Sequence, residues 1–343
     1  MKKLFQEMAV CLQKKEDFVL VTVIAGSGST PRGAGARMLI KKDGTFLGTI
    51  GGGNVEFTAQ KMGLEVLKEK KSYSKGFKLA RNQVADLGMI CGGDVVVYFQ
   101  YVSPENENFK EICREIPNFF SRDENSWMIT EITDETAWNM GIYSKSKGLV
   151  GMNMEDVKPL LCAKAVQIEI GEKKYYCEPL VKAGTVYVFG GGHVAQELVP
   201  VLSHIGFRCV VFDDREAFAN KKIFPDADEV IVGDFEDIFK KVTIHKNDYM
   251  AIMSRGHEFD YLIQKQALST EAHYIGVMGS KMKMKSISEK LQKDGFDEKV
   301  IERFKSPIGL PIEAETPAEI AISIAGELLQ IRAENEKKSI LEA

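Results

Sequence analysis

The chain has 343 residues, 44% hydrophobic and 27% charged, with a formal net charge of −4. That length holds about two domains with separate cores, and the composition is that of an ordinary globular protein. The mild acidity gives no long-range attraction for nucleic acid, so an anionic ligand must be met by a local site, and no apolar run approaches the ~20 residues of a membrane span.

Leu4, Phe5, Met8 and Leu12 are spaced for an amphipathic first helix, and Gln6 and Glu7 interrupt the apolar stretch that a secretory signal would need. Residues 18–23 read as a strand and the Gly/Ser/Pro stretch 26–35 as a loop. Residues 37–40 and 46–50 form a predicted hairpin that turns at Asp43-Gly44. Gly51, Gly52 and Gly53 lead into a helix containing Val55, Ala59, Met62 and Leu67, and residues 94–100 read as a further strand. Across 104–184 the signal is weaker: a short helix at 109–116, then strands at 127–132, 138–143, 166–170 and 175–177. A linker near 182–185 divides the chain into domains 1–183 and 184–343.

Beyond the linker, strands at 186–189, 209–212, 229–232, 249–253 and 274–278 alternate with amphipathic segments. This predicts an α/β fold whose C-terminal domain is a Rossmann-like, doubly wound parallel sheet, preceded by an N-terminal α+β domain. Pro200 lies inside the first of these helices and is expected to kink it or mark irregularity. Thr316 and Glu319 match a capping box, with Pro317 at the first helical position of a closing helix over 318–333.

Gly190, Gly192 and Ala195 fit the G-x-G-x-x-G/A spacing of a dinucleotide-binding turn, a pattern that a plain strand-turn-helix junction also satisfies. Asp213 stands at the end of the second strand, about 20 residues on, where a ribose-binding carboxylate belongs. If a dinucleotide binds, Asp213 is expected to favour a diol over a 2′-phosphate, with the complication that Arg215, beside Asp214, can accept the extra phosphate. Ligands in such sheets bind beyond the carboxyl ends of the strands, which gathers Gly190, Gly191, Gly192, His193, Asp213, Arg255, His257, Ser280 and Lys281 at one crevice. In the N-terminal domain, Arg32 within 26–35 and the Gly51, Gly52 and Gly53 run are a second set of anion-binding candidates, with tight turns in a small sheet as the competing reading. The six cysteines include no C-x-x-C pair, so neither a zinc site nor a disulfide framework is indicated, and a reduced, cytoplasmic location is the simplest reading. Cys91, flanked by glycines, is either a small buried hydrophobe or an approachable thiolate.

The runs Gly28-Ser-Thr-Pro-Arg-Gly33, Gly48-Thr-Ile-Gly-Gly-Gly-Asn-Val-Glu56, Cys91-Gly-Gly93, Gly190-Gly-Gly-His-Val-Ala195, Phe212-Asp-Asp-Arg215, Tyr274-Ile-Gly-Val-Met-Gly-Ser-Lys281, Pro307-Ile-Gly-Leu310 and Thr316-Pro-Ala-Glu-Ile-Ala321 follow one another in order. Together they resemble the xanthine dehydrogenase accessory protein family, XdhC/CoxI. The resemblance implies a maturation factor rather than a dehydrogenase. Such a factor binds molybdenum cofactor (molybdopterin), protects it during sulfuration and inserts it into an apo xanthine dehydrogenase-type molybdoenzyme. It further implies a cysteine desulfurase-type sulfur donor, a homodimer and Cys91 as a molybdenum contact, while the charge and the lack of a long apolar run lead us to expect no nucleic-acid or membrane partner. The Rossmann-like domain could hold NAD(P), another nucleotide, the pterin cofactor, or neither. An NAD(P)-dependent oxidoreductase and a nucleotide-sensing regulatory protein are the alternatives.

Overall fold

The computed structural model describes residues 1–28, 33–78, 93–121, 123–134, 136, 138–162, 164–182 and 184–341. The chain divides into two units, Met1–Lys182 and Ala183–Ala343.

The first unit is organised around β1 (Phe18–Gly28), which pairs antiparallel with β2 (Arg37–Lys41) and β5 (Gly93–Val102). With β3 (Phe46–Thr49) and β4 (Tyr73–Lys78) at the edges, the sheet order is β3-β2-β1-β5-β4. Alternation along β1 feeds two cores. Val19, Val21 and Val23 pack with Val55, Ala59 and Val66 of α2 (Gly53–Glu69). Phe18 and Leu20 pack with α1 (Lys2–Gln13) and α3 (Glu107–Ser121). The predicted stripe of α1, Leu4, Phe5, Met8 and Leu12, lies in that core, joined by Cys11. β1 runs five residues beyond the predicted strand 18–23 because β5 supplies partners to the glycine-rich end, Ser27 facing Asp94 and Gly28 facing Gly93.

The weakly patterned region forms a second antiparallel sheet of β6 (Ser126–Glu131), β7 (Asn139–Ser144), β8 (Gly148–Val150), β9 (Val166–Ile170) and β10 (Lys173–Val181). Its order is β8-β7-β6-β10-β9. Met128, Met140, Ile142 and Val150 join the α1/α3 core. The Trp138 indole N–H donates to Tyr101 O at 3.1 Å and Gln167 Nε2 to Ile24 O at 3.2 Å, tying the two sheets together.

The second unit carries β11 (Thr185–Phe189), β12 (Arg208–Asp213), β13 (Glu229–Val232), β14 (Tyr249–Ile252), β15 (Tyr274–Val277) and a short β16 (Phe304–Lys305). All pair in parallel, in the order β13-β12-β11-β14-β15-β16. Renumbered from the start of the unit this is 3-2-1-4-5-6, the Rossmann order, whose connections reverse direction between β11 and β14. One sheet face packs against α4 (His193–His204) and α8 (Pro317–Leu341) through Leu198, Val199, Leu202, Ile324 and Leu328. The other packs against α5 (His257–Ala267) through Ile263 and Ala267. α6 (Lys281–Lys293) and α7 (Glu298–Ile301) share a satellite core at Ile287, Leu291 and Ile301. Pro200 lies exposed inside α4, which runs on through it to His204. The capping box forms as expected, Glu319 N–H to Thr316 Oγ1 at 3.3 Å and Thr316 N–H to Glu319 Oε2 at 2.9 Å. Among the described residues no helix is long and apolar enough to cross a membrane.

Candidate functional site

The turn after β11 sits at the reversal of strand order, held from both sides. On one side Gly190 has a φ of 113°, and a Cβ there would stand 2.5 Å from Met253 O of the segment after β14. On the other, a Cβ at Gly191 would collide with Phe218 O, beyond β12. Gly192, the N-cap of α4, has ordinary extended geometry, and a Cβ there would meet nothing within 4 Å. The turn is therefore packed at its first two glycines and open at the third, beside the helix N-terminus.

Asp213 fixes this arrangement. Its carboxylate is 1% exposed and accepts the Gly191 N–H at 2.8 Å, the Arg215 N–H at 3.0 Å and Arg215 Nε at 2.9 Å. Burial opposes ionisation, but the Arg215 side chain and the two backbone N–H groups outweigh it and hold the carboxyl below the usual aspartate range. Both Asp213 oxygens are engaged inside the unit. Its neighbour Asp214 takes Arg255, which donates to its two oxygens at 2.6 and 2.7 Å, and also lies 3.7 Å from Arg215 Nε. Arg255 also lies over the Phe259 ring, 4.7 Å from the centroid, and Arg215 over Phe218 at 3.7 Å.

His193 and His257 are both exposed, at the first positions of α4 and α5, whose N-termini flank the reversal point. Ser280 caps α6, its Oγ accepting the Lys283 N–H at 3.3 Å, and Lys281 is the first residue of that helix. Sequence reasoning missed Asp260. Fully buried in the first turn of α5, it accepts hydrogen bonds from Ser254 Oγ and Lys283 Nζ. An acidic residue in a first helical turn is so common a device that nothing marked this one out.

In the first unit, the run of three glycines opens α2 as predicted, yet the N–H groups of Gly51 and Gly52 already serve the chain. Glu56 accepts from Ile50 N–H at 2.9 Å, Gly52 N–H at 3.0 Å and the Thr49 hydroxyl. Burial works against its charge, but these bonds keep its carboxyl below the usual glutamate range. Gly51 donates to Thr49 Oγ1 at 3.1 Å. Nearby, the buried Arg37 pairs with Glu178 of β10, which also accepts from Tyr176 Oη at 3.0 Å. Arg32 and Cys91 lie outside the described residues. The other five cysteines are structural in placement, four buried and Cys162 half-buried. Burial pushes the thiols of Cys113 and Cys177 up to about 12, far from a reactive thiolate. Among the described residues no group of three His, Cys, Asp or Glu side chains is placed to hold a metal ion.

Comparison with known proteins matches residues 186–328 to the XdhC Rossmann domain and residues 11–74 to the XdhC and CoxI family. A protein of Bacillus subtilis described as a probable xanthine dehydrogenase subunit is 24% identical over 94% of this chain and 95% of its own length. The molybdenum cofactor insertion chaperone PaoD of Escherichia coli is 20% identical over 94% of this chain and 86% of its own. A crystal structure described as a xanthine dehydrogenase from Bacillus halodurans superposes with a TM-score of 0.78 at 25% identity, covering 96% of both chains.

Proposed function

The chain belongs to the XdhC and CoxI family, and from that premise we propose that it is a molybdenum cofactor-binding accessory protein for a xanthine dehydrogenase-type molybdoenzyme. It holds the cofactor as cargo while the terminal sulfido ligand is installed and then delivers it to the apo-enzyme. The observation that carries this reading is the likeness, along almost the whole chain, to a cofactor insertion chaperone. The sulfur donor would be a cysteine desulfurase-type enzyme, and the setting a reducing cytoplasm in which the protein works as a homodimer.

The residues of the second unit fit the phosphate end of such a cargo. The turn is open only at Gly192, where it meets the first N–H groups of α4, and Arg255 stands across from it. These groups would bind the phosphate, with His193, His257, Ser280 and Lys281 bordering the same strand ends. Cys91 remains our candidate for contact with molybdenum, since a soft thiolate suits a metal centre that carries sulfur ligands. In the first unit, the second set of anion-binding candidates, Arg32 with Gly51, Gly52 and Gly53, is retained in a reduced form, because Glu56 competes for the glycine donors.

The Rossmann strand order favours a second reading, in which the crevice takes NAD(P) or another nucleotide as an oxidoreductase or as a sensor. One experiment separates these. Protein purified from cells that make the cofactor is assayed for pterin by fluorescence after oxidation, for molybdenum by mass spectrometry, and for hydride transfer with NAD(P)H. Co-purifying pterin and molybdenum without turnover is the expected outcome. Turnover without pterin would establish the oxidoreductase, and nucleotide binding with neither would establish the sensor.

A further inference from the structure

The ion pair between Asp214 and Arg255 joins the ends of β12 and β14, the two strands that flank β11. It therefore spans the carboxyl end of β11, from which the Gly190–Gly192 turn emerges. We propose that this bridge is an internal stand-in for a bound anion. A phosphate monoester or diphosphate group takes Arg255 from Asp214, and the crevice recognises phosphate through a guanidinium rather than a ribose diol through a carboxylate. The inference rests on the reading above that this crevice is a ligand site.

Three observations carry it. First, Asp213, in the position where a diol-binding carboxylate would stand, is buried and spends both oxygens on Gly191 and Arg215. Second, of the three described cations here, only Arg255 is placed for exchange. Arg215 is fixed by Asp213, and Lys283 by the fully buried Asp260, whereas the Arg255 and Asp214 side chains are 42% and 22% exposed. An ion pair that accessible to water is weak, and a phosphate offers the same two-pronged acceptor with more charge. Third, Arg255 rests on Phe259, and Phe259 in turn on Phe235 at 5.5 Å, so the guanidinium keeps a platform when Asp214 lets go.

The test uses the full chain, with inorganic pyrophosphate, NAD and NADP as calorimetric probes at fixed salt. Asp214→Asn keeps the side-chain shape and frees Arg255, so pyrophosphate should bind about tenfold tighter. Arg255→Gln should weaken it about tenfold. NADP should bind more tightly than NAD to the unaltered protein. Thermal melting confirms that each variant is folded. If Asp214→Asn leaves affinity unchanged or lowers it, or NAD binds more tightly than NADP, while Gly192→Val abolishes pyrophosphate binding, the inference fails and the site stands. If the unaltered protein does not bind pyrophosphate, or Gly192→Val leaves binding unchanged, the site reading fails and the inference with it.

Discussion

Asp213 and Gly191, 22 residues apart in the chain, meet at 2.8 Å, carboxylate oxygen to backbone N–H. The contact locks the end of one strand to the turn that follows its neighbour, and Arg215 neutralises the buried charge from the other side. Asp213→Asn keeps the shape but not the charge, and should cost about 1–3 kcal/mol, read as a lower urea midpoint at pH 7. The acid dependence follows from the lowered pKa. The stabilisation is complete above the ordinary aspartate value of about 4 and fades as the pH falls through the lowered one. The stability gap between the unaltered protein and Asp213→Asn should therefore narrow on acidification and stay constant from pH 6 to 8.

Gly190 and Gly192 should respond oppositely. Gly190→Ala puts a Cβ against Met253 O in a left-handed backbone, so the turn must shift, at a cost of about 1–3 kcal/mol or more. Gly192→Val projects into open space and should leave the melting temperature nearly unchanged while abolishing binding of phosphate ligands. Calorimetry beside thermal melting reads both.

Arg37 and Glu178 form a buried pair that ties the two sheets of the first unit. Arg37→Met alone strands a buried carboxylate and should cost about 3–5 kcal/mol. Combined with Glu178→Leu, the loss should be smaller than for Arg37→Met alone, because no uncompensated charge remains. Denaturant midpoints of the three variants form the check, and a double variant as unstable as the sum of the singles would refute the pairing as the cause.

Cys91→Ala and Cys209→Ala separate cargo contact from packing. Cys209 is fully buried in β12, and burial pushes its thiol pKa up, so its loss should cost about 1–2 kcal/mol of stability and leave cofactor retention intact. Cys91→Ala should retain stability and lose bound molybdenum and client activation. Retention of both by Cys91→Ala would mean that the glycine turns hold the cargo without a thiolate.

Five strands of the parallel sheet were legible in the sequence because their signals are local, whereas the two-residue β16 was not. Apolar runs such as Val186–Phe189 end in glycine, and Thr316 and Glu319 satisfy each other within one turn of helix. The second antiparallel sheet was less legible as a unit. Its edge strand β9 was read at 166–170, but the three-residue edge strand β8 was missed, since a strand with one partner need not alternate cleanly. Polar β4 was missed for the same reason, since it pairs only with β5. The residue types and order of the candidate site also followed from sequence, because glycine spacing and helix starts are properties of adjacent residues. The partners did not. Asp213 turned inward to Gly191, Asp214 outward to Arg255, Asp260 to Lys283 and Glu56 back over its own glycines. Only the packed fold decides which of several nearby carboxylates each cation and N–H group meets. Neighbours such as Asp213 and Asp214 are chemically identical in sequence and differ only in the side of the strand end to which the backbone turns them.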